Sequence, residues 1–161
     1  MPWVKPIRQH QFKNQFEGQA ATVFDRLLAN APDIYDSFVP LQQSIKQTSL
    51  PNDLREAIIT FVSMKNGCEY CTKSHVELLR SYIEEEDLLT WLEHYKDSNM
   101  QEEWKAVLQY AERLIAKPVQ VTKEDMVRLK EFGYSSEQLV EINQTVAYTS
   151  YTNQLSIGLG L

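Results

Sequence analysis

The 161-residue sequence predicts an all-helical fold built as one domain over residues 1–161, and three observations carry that expectation. Apolar residues recur at intervals of three and four through almost every patterned segment, the period of a helix face. Runs that alternate with period two, as a half-buried strand requires, are scarce. Only five glycines punctuate the chain, which leaves few places for sheet turns. The chain is also long enough, at 43% hydrophobic residues, to bury a real core.

A first helix is expected over Glu17 to Asn30, with Ala20, Val23, Phe24, Leu27 and Leu28 on one face. Pro32 suits the first turn of a second helix, which carries Ile34, Tyr35, Phe38, Leu41 and Ile45. In Leu50-Pro51-Asn52-Asp53, Asp53 can cap a third helix, with Glu56 three residues on as the other half of a capping box. That helix places Leu54, Ala57, Ile58, Phe61 and Val62 inside and stops at Asn66-Gly67. A fourth helix follows to about Ser81, so the motif-bearing helix pair covers about 53–81. Glu84 to Tyr95 reads as a fifth helix, with the acidic run Glu84-Glu85-Glu86-Asp87 as its solvated start. Gln101 to Ala116 is amphipathic through Trp104, Val107, Leu108, Ala111, Leu114 and Ile115. A short helix opens at Thr122, with Met126, Leu129 and Phe132 on its apolar face, and closes at Gly133. The last is capped by Ser135 or Ser136, includes Leu139, Ile142, Val146 and Tyr148, and extends to about Ile157.

Composition narrows the function. The net charge is −6 and no basic stripe is visible, which argues against nucleic acid. No apolar h-region follows the N-terminus, and no apolar run approaches the roughly 20 residues a membrane helix needs. A cytoplasmic protein with no membrane partner is the expectation.

The two cysteines are Cys68 and Cys71. In a reducing compartment a lone C-x-x-C is catalytic or metal-binding more often than structural. Cys68, Cys71 and His75 fall at i, i+3 and i+7, so all three share a helix face and the two sulfurs can meet. A helix starting just after Gly67 sets both cysteines in its first turn, where unpaired N–H groups and the dipole favour thiolate. Lowering a thiol pKa from about 8.5 by two units needs about 2.7 kcal/mol, whereas an exposed dipole supplies about 0.3–1 kcal/mol. A further partner is required, and His75 is the candidate. Glu56, on the preceding helix, can reach His75 or Cys68 across a tight antiparallel turn and pass protons. From spacing alone the capping role is its equal competitor.

The stretch Leu50-Pro51, Leu54-Arg55-Glu56, Val62-Ser63, Asn66-Gly67-Cys68-Glu69-Tyr70-Cys71, His75 and Leu79-Arg80 resembles the alkyl hydroperoxidase D branch of the carboxymuconolactone decarboxylase-like superfamily. The resemblance rests on a Glu, then C-x-x-C after eleven residues, then His. It continues through Pro118-Val119-Gln120-Val121-Thr122, Gly133-Tyr134-Ser135, Ala147-Tyr148, Asn153 and Gly158-Leu159-Gly160. It implies a helical bundle of the alkyl hydroperoxidase D-like type, assembled as a homo-oligomer of three or six chains. It further implies a peroxidase that holds no cofactor, takes a hydroperoxide as substrate, and is recycled by an external thiol or lipoyl-type dithiol. Cys71 then resembles the peroxidatic cysteine, Cys68 the resolving one, and Glu56 and His75 the proton relay. Dipole reasoning alone would favour Cys68 as nucleophile, being nearer the helix start. One position departs: family members place a His immediately before the second cysteine, and here it is Tyr70. A phenol with a pKa near 10 cannot shuttle protons near neutrality as imidazole does, although it can donate a hydrogen bond to a peroxide oxygen. That points to slower peroxide turnover or a different substrate.

Other readings compete. A structural zinc site takes four protein ligands, and this helix offers three. A redox-sensing or partner-binding module would use the same disulfide without turnover, and lactone decarboxylation occurs in relatives that lack the C-x-x-C. His10 and His94 read as surface residues. Phe38, Phe61, Trp91 and Trp104 read as core, and Asn153 as helix packing.

Overall fold

The computed structural model describes residues 1–19 and 21–161. Among them the chain is helical throughout, with nine helices and no strand: α1 (Gln9–Gln15), α2 (Val23–Leu28), α3 (Pro32–Lys46), α4 (Asn52–Lys65), α5 (Glu69–Leu79), α6 (Leu88–Glu93), α7 (Glu102–Ile115), α8 (Lys123–Glu131) and α9 (Ser136–Gly158). Among the described residues no helix is long and apolar enough to cross a membrane. The chain forms two compact units, one of Met1–Gln47 with Leu155–Leu161, the other of Thr48–Gln154.

In the first unit the expected helix over 17–30 is shortened to α2, and a separate unexpected helix, α1, precedes it. Gly18 adopts a φ of 77° after α1, and Thr22 accepts a hydrogen bond from the Asp25 amide at 3.1 Å, so the second helix begins at Val23. Ala20, expected on the first apolar face, lies outside the described residues. α1 escapes sequence reading because its one apolar residue, Phe12, shows no period; it is buried against the rings of Phe16 and Tyr35. α3 matches its expected start at Pro32. Of its apolar residues, Tyr35, Phe38 and Ile45 are buried, whereas Ile34 and Leu41 are exposed. The latter two lie seven apart on one row at the flank of the buried stripe, which is narrower than the whole apolar face. At the C-terminus Gly160, at φ 79°, lets the backbone approach Trp3: a Cβ there would meet the indole at 2.7 Å.

The second unit holds the larger core. α4 packs against α5, α6 and α7, and α7 against α8. Leu54, Ile58, Phe61 and Val62 of α4 meet Leu79 of α5, Leu92 of α6, Val107 and Leu108 of α7, Leu129 of α8 and Ile142 of α9 in one buried cluster. α6 starts four residues later than expected, because Asp87 accepts from the Thr90 amide at 3.1 Å and sets the N-cap there. The acidic run Glu84–Glu86 therefore precedes the helix rather than opening it. Phe132, expected on the apolar face of α8, is its C-cap and is exposed. Ser135 caps α9 reciprocally with Gln138, at 3.1 and 3.0 Å. Phe38 and Phe61 are buried, His10 and His94 are exposed, and Trp91 and Trp104 pack on each other half-buried.

Candidate functional site

The site begins with how α4 ends. Asn66 is the C-cap, and Gly67 follows with a φ of 73°, a left-handed conformation that glycine adopts without steric penalty. The Gly67 amide donates to the Met64 carbonyl at 3.1 Å, and the Cys68 amide donates to the Ser63 carbonyl at 3.0 Å. These two bonds form a Schellman motif and turn the chain sharply. Cys68 therefore ends one helix and starts the next: it is the N-cap of α5, and its Sγ accepts from the Cys71 amide at 3.3 Å.

This refines the expected placement. Cys68 lies one position before the first helical residue, and Cys71 lies in the first turn. Their sulfurs are bonded, across a Cα–Cα distance of 5.3 Å. Both are buried, Cys68 to 1% exposure and Cys71 to 7%, so Cys71 is the more exposed residue of the pair.

His75 follows one turn after Cys71. Its Nδ1 lies 2.8 Å from Oε2 of Glu56. The pair is shielded, with side-chain exposures of 32% for His75 and 12% for Glu56. The capping reading of Glu56 is corrected by the same geometry. α4 begins at Asn52 behind Pro51, and Asp53 sits inside the helix, where its Oδ1 accepts from the Leu54 amide at 2.8 Å. The N-cap is a proline, which has no N–H for a returning carboxylate to accept. Glu56 is thus left to the imidazole. A carboxylate on Nδ1 fixes the ring and the tautomer, leaving Nε2 to exchange protons with a neighbouring group.

Tyr70, the residue between the cysteines that departs from the resembled pattern, is half-buried in the first turn of α5. A polar side chain that the sequence assigned to helix packing joins the site through hydrogen bonds to α4 and its C-cap. Asn153 of α9 is 1% exposed; it donates to Ser63 Oγ at 3.0 Å and accepts from Asn66 Nδ2 at 3.0 Å. The signal for it in the sequence is its place four residues after Thr149 and eight after Thr145, on a row of α9 that is polar and buried.

Comparisons with known proteins agree with this architecture. The model of the carboxymuconolactone decarboxylase family matches residues 32–113. YdfG, an uncharacterised protein of Bacillus subtilis (strain 168), is 25% identical over 131 residues, which are 81% of this chain and 89% of YdfG. The apo crystal structure of the debrominase Bmp8 superposes with a TM-score of 0.83 at 19% identity, covering 98% of this chain and 89% of that one. An uncharacterised peroxidase-related protein of Ralstonia eutropha JMP134, described as an alkylhydroperoxidase AhpD core, gives 0.75 at 22% identity, covering 95% and 81%. At these identities the two crystal structures share the fold.

Proposed function

Because the chain belongs to the carboxymuconolactone decarboxylase family, we propose that it is a thiol-dependent peroxidase or disulfide oxidoreductase of the alkyl hydroperoxidase D-like type, working through Cys68 and Cys71. The observation that carries this reading is the Glu56–His75 contact at 2.8 Å, one helical turn from a cysteine pair close enough to be bonded.

In the reduced protein His75 accepts the Cys71 proton, with Glu56 stabilising the imidazolium that forms. The Cys71 thiolate attacks the distal oxygen of a hydroperoxide. The O–O bond breaks, Cys71 becomes a sulfenic acid, and the alkoxide leaves as an alcohol with the proton from His75. Cys68 then attacks the sulfenic sulfur, releasing water and closing the disulfide. An external dithiol, of thiol or lipoyl type, attacks the sulfur of Cys71, the less buried residue of the pair. Cys68 is well placed to leave as thiolate, since its Sγ accepts the Cys71 N–H. The donor is oxidised to its disulfide, returning two electrons and two protons. The acidic chain and the absence of any basic stripe favour small or uncharged substrates over polyanions.

A second reading draws on the likeness to Bmp8, which spans 98% of this chain. The same pair can reduce an aryl bromide, the net change being ArBr with two thiols to ArH, HBr and a disulfide. The experiment that tests both presents the reduced protein with cumene hydroperoxide or with 2,3,4-tribromopyrrole and follows disulfide formation in one turnover. Rapid oxidation by the hydroperoxide, lost in Cys71→Ser, supports the peroxidase. Oxidation by the bromopyrrole alone supports dehalogenation. No oxidation by either overturns both.

A further inference from the structure

α9 buries a row of polar side chains at Thr145, Thr149 and Asn153, four residues apart. The two threonines use their own helix: Thr145 Oγ1 donates to the Glu141 carbonyl at 2.7 Å, and Thr149 Oγ1 to the Thr145 carbonyl at 2.6 Å. Asn153 does not. Its amide engages α4 and the turn that follows, donating to Ser63 Oγ and accepting from Asn66 Nδ2, each at 3.0 Å. Asn66 makes a second bond to α9, to Ser150 Oγ at 3.1 Å.

Ser63 and Asn66 are no arbitrary anchors. Ser63 supplies the carbonyl that receives the Cys68 amide, and Asn66 is the C-cap of α4. One buried amide therefore grips both ends of the Schellman turn whose last residue is Cys68. We infer that Asn153 is a positioning residue for the cysteine pair: by holding that turn through Ser63 and Asn66, it stabilises the disulfide relative to the dithiol.

The physical reason is conformational entropy. Closing the bond requires Cys68 to give up its backbone freedom, and that loss opposes closure. A turn already held by side-chain bonds has little freedom left to lose. Cut the clamp, and the reduced form gains freedom that the disulfide form cannot share. The reaction is protein dithiol plus glutathione disulfide going to protein disulfide plus two glutathione, so electrons and protons balance.

The inference rests on the reversible disulfide of the proposed function but not on peroxide turnover, and the test separates the two. Wild type, Asn153→Ala, Asn66→Ala, the double variant, Ser63→Ala and Thr149→Val are equilibrated in glutathione redox buffers, acid-quenched and alkylated, and their free thiols counted by mass. Asn153→Ala is expected to shift the equilibrium about tenfold towards the dithiol, roughly 30 mV. Asn66→Ala and Ser63→Ala shift it the same way by several-fold. The double variant shifts it by less than the sum of the two singles, because both substitutions cut the shared Asn153–Asn66 bond. Thr149→Val, which removes a buried hydroxyl away from the turn, leaves the equilibrium at the wild-type value. If Asn153→Ala does not fold, Ser63→Ala carries the same expectation. A wild-type equilibrium in Asn153→Ala or in Ser63→Ala overturns the inference, as do additive effects in the double variant or an equal shift in Thr149→Val. A wild-type pair that never interconverts overturns both this inference and the redox reading. Normal interconversion without peroxide turnover removes only the peroxidase.

Discussion

Glu56 and His75 sit nineteen residues apart and meet through Oε2 and Nδ1 at 2.8 Å across the seam between α4 and α5. The contact depends on the Schellman turn at Gly67, which folds the two helices back on each other. It also depends on α4 starting at Asn52, so that Glu56 is not drawn to the helix terminus. Replacing Glu56 with Gln keeps the shape but removes the charge that favours the imidazolium. Peroxide turnover is expected to fall on the order of 100-fold, within the range of a general acid–base contribution, while the dithiol–disulfide equilibrium changes little. Stopped-flow oxidation kinetics check this, and an unaltered rate would remove Glu56 from the relay.

The two cysteines have separable roles. Cys71→Ser should abolish reaction with hydroperoxide. Cys68→Ser should still react once and then stop at a sulfenic acid on Cys71, which a cyclic 1,3-diketone traps as a mass adduct. If the adduct appears instead on Cys68 of the Cys71→Ser protein, the roles are reversed and the dipole argument from the sequence prevails.

Gly67 is needed for its backbone. A Cβ at this position would meet no atom within 4 Å, so Gly67→Ala costs only the strain of an L-residue at φ 73°. The expected loss is about 1 kcal/mol, read from denaturant midpoints. A stability equal to wild type would mean that the turn relaxes without harm.

Acid sensitivity is expected from Glu112 on α7. It accepts from Tyr95 Oη at 2.8 Å and from Lys96 Nζ at 2.8 Å, with Lys65 Nζ at 3.9 Å. Burial pushes its pKa up, but the hydrogen bonds from Lys96 and Tyr95 and the nearby lysine charges outweigh burial and hold it below the ordinary 4.5. A carboxylate depressed in the folded state adds stability above its unfolded pKa, and that stability is lost as pH falls through the folded value. Glu112→Gln should therefore be less stable than wild type at pH 7 by up to about 1 kcal/mol, given its partial exposure. The gap should close towards pH 3. A gap that persists unchanged at pH 3 would show that the charge contributes nothing.

How much of this was legible in the sequence follows from range. The helical period of α3, α4, α7 and α9, the stop at Asn66-Gly67 and the shared face of Cys68, Cys71 and His75 are all set by neighbours within about a turn, and local spacing carries them. α1 was hidden because a single buried Phe12 has no period, and the true starts of α2 and α6 turned on which of several polar residues caps. The partner of Glu56 and the grip of Asn153 on Ser63 and Asn66 join residues 19, 90 and 87 positions apart. Spacing left Glu56 divided between a cap and a relay, and made Asn153 mere packing. Only the folded chain, by seating α4 against α5 and bringing α9 to the turn between them, decided what those two side chains touch.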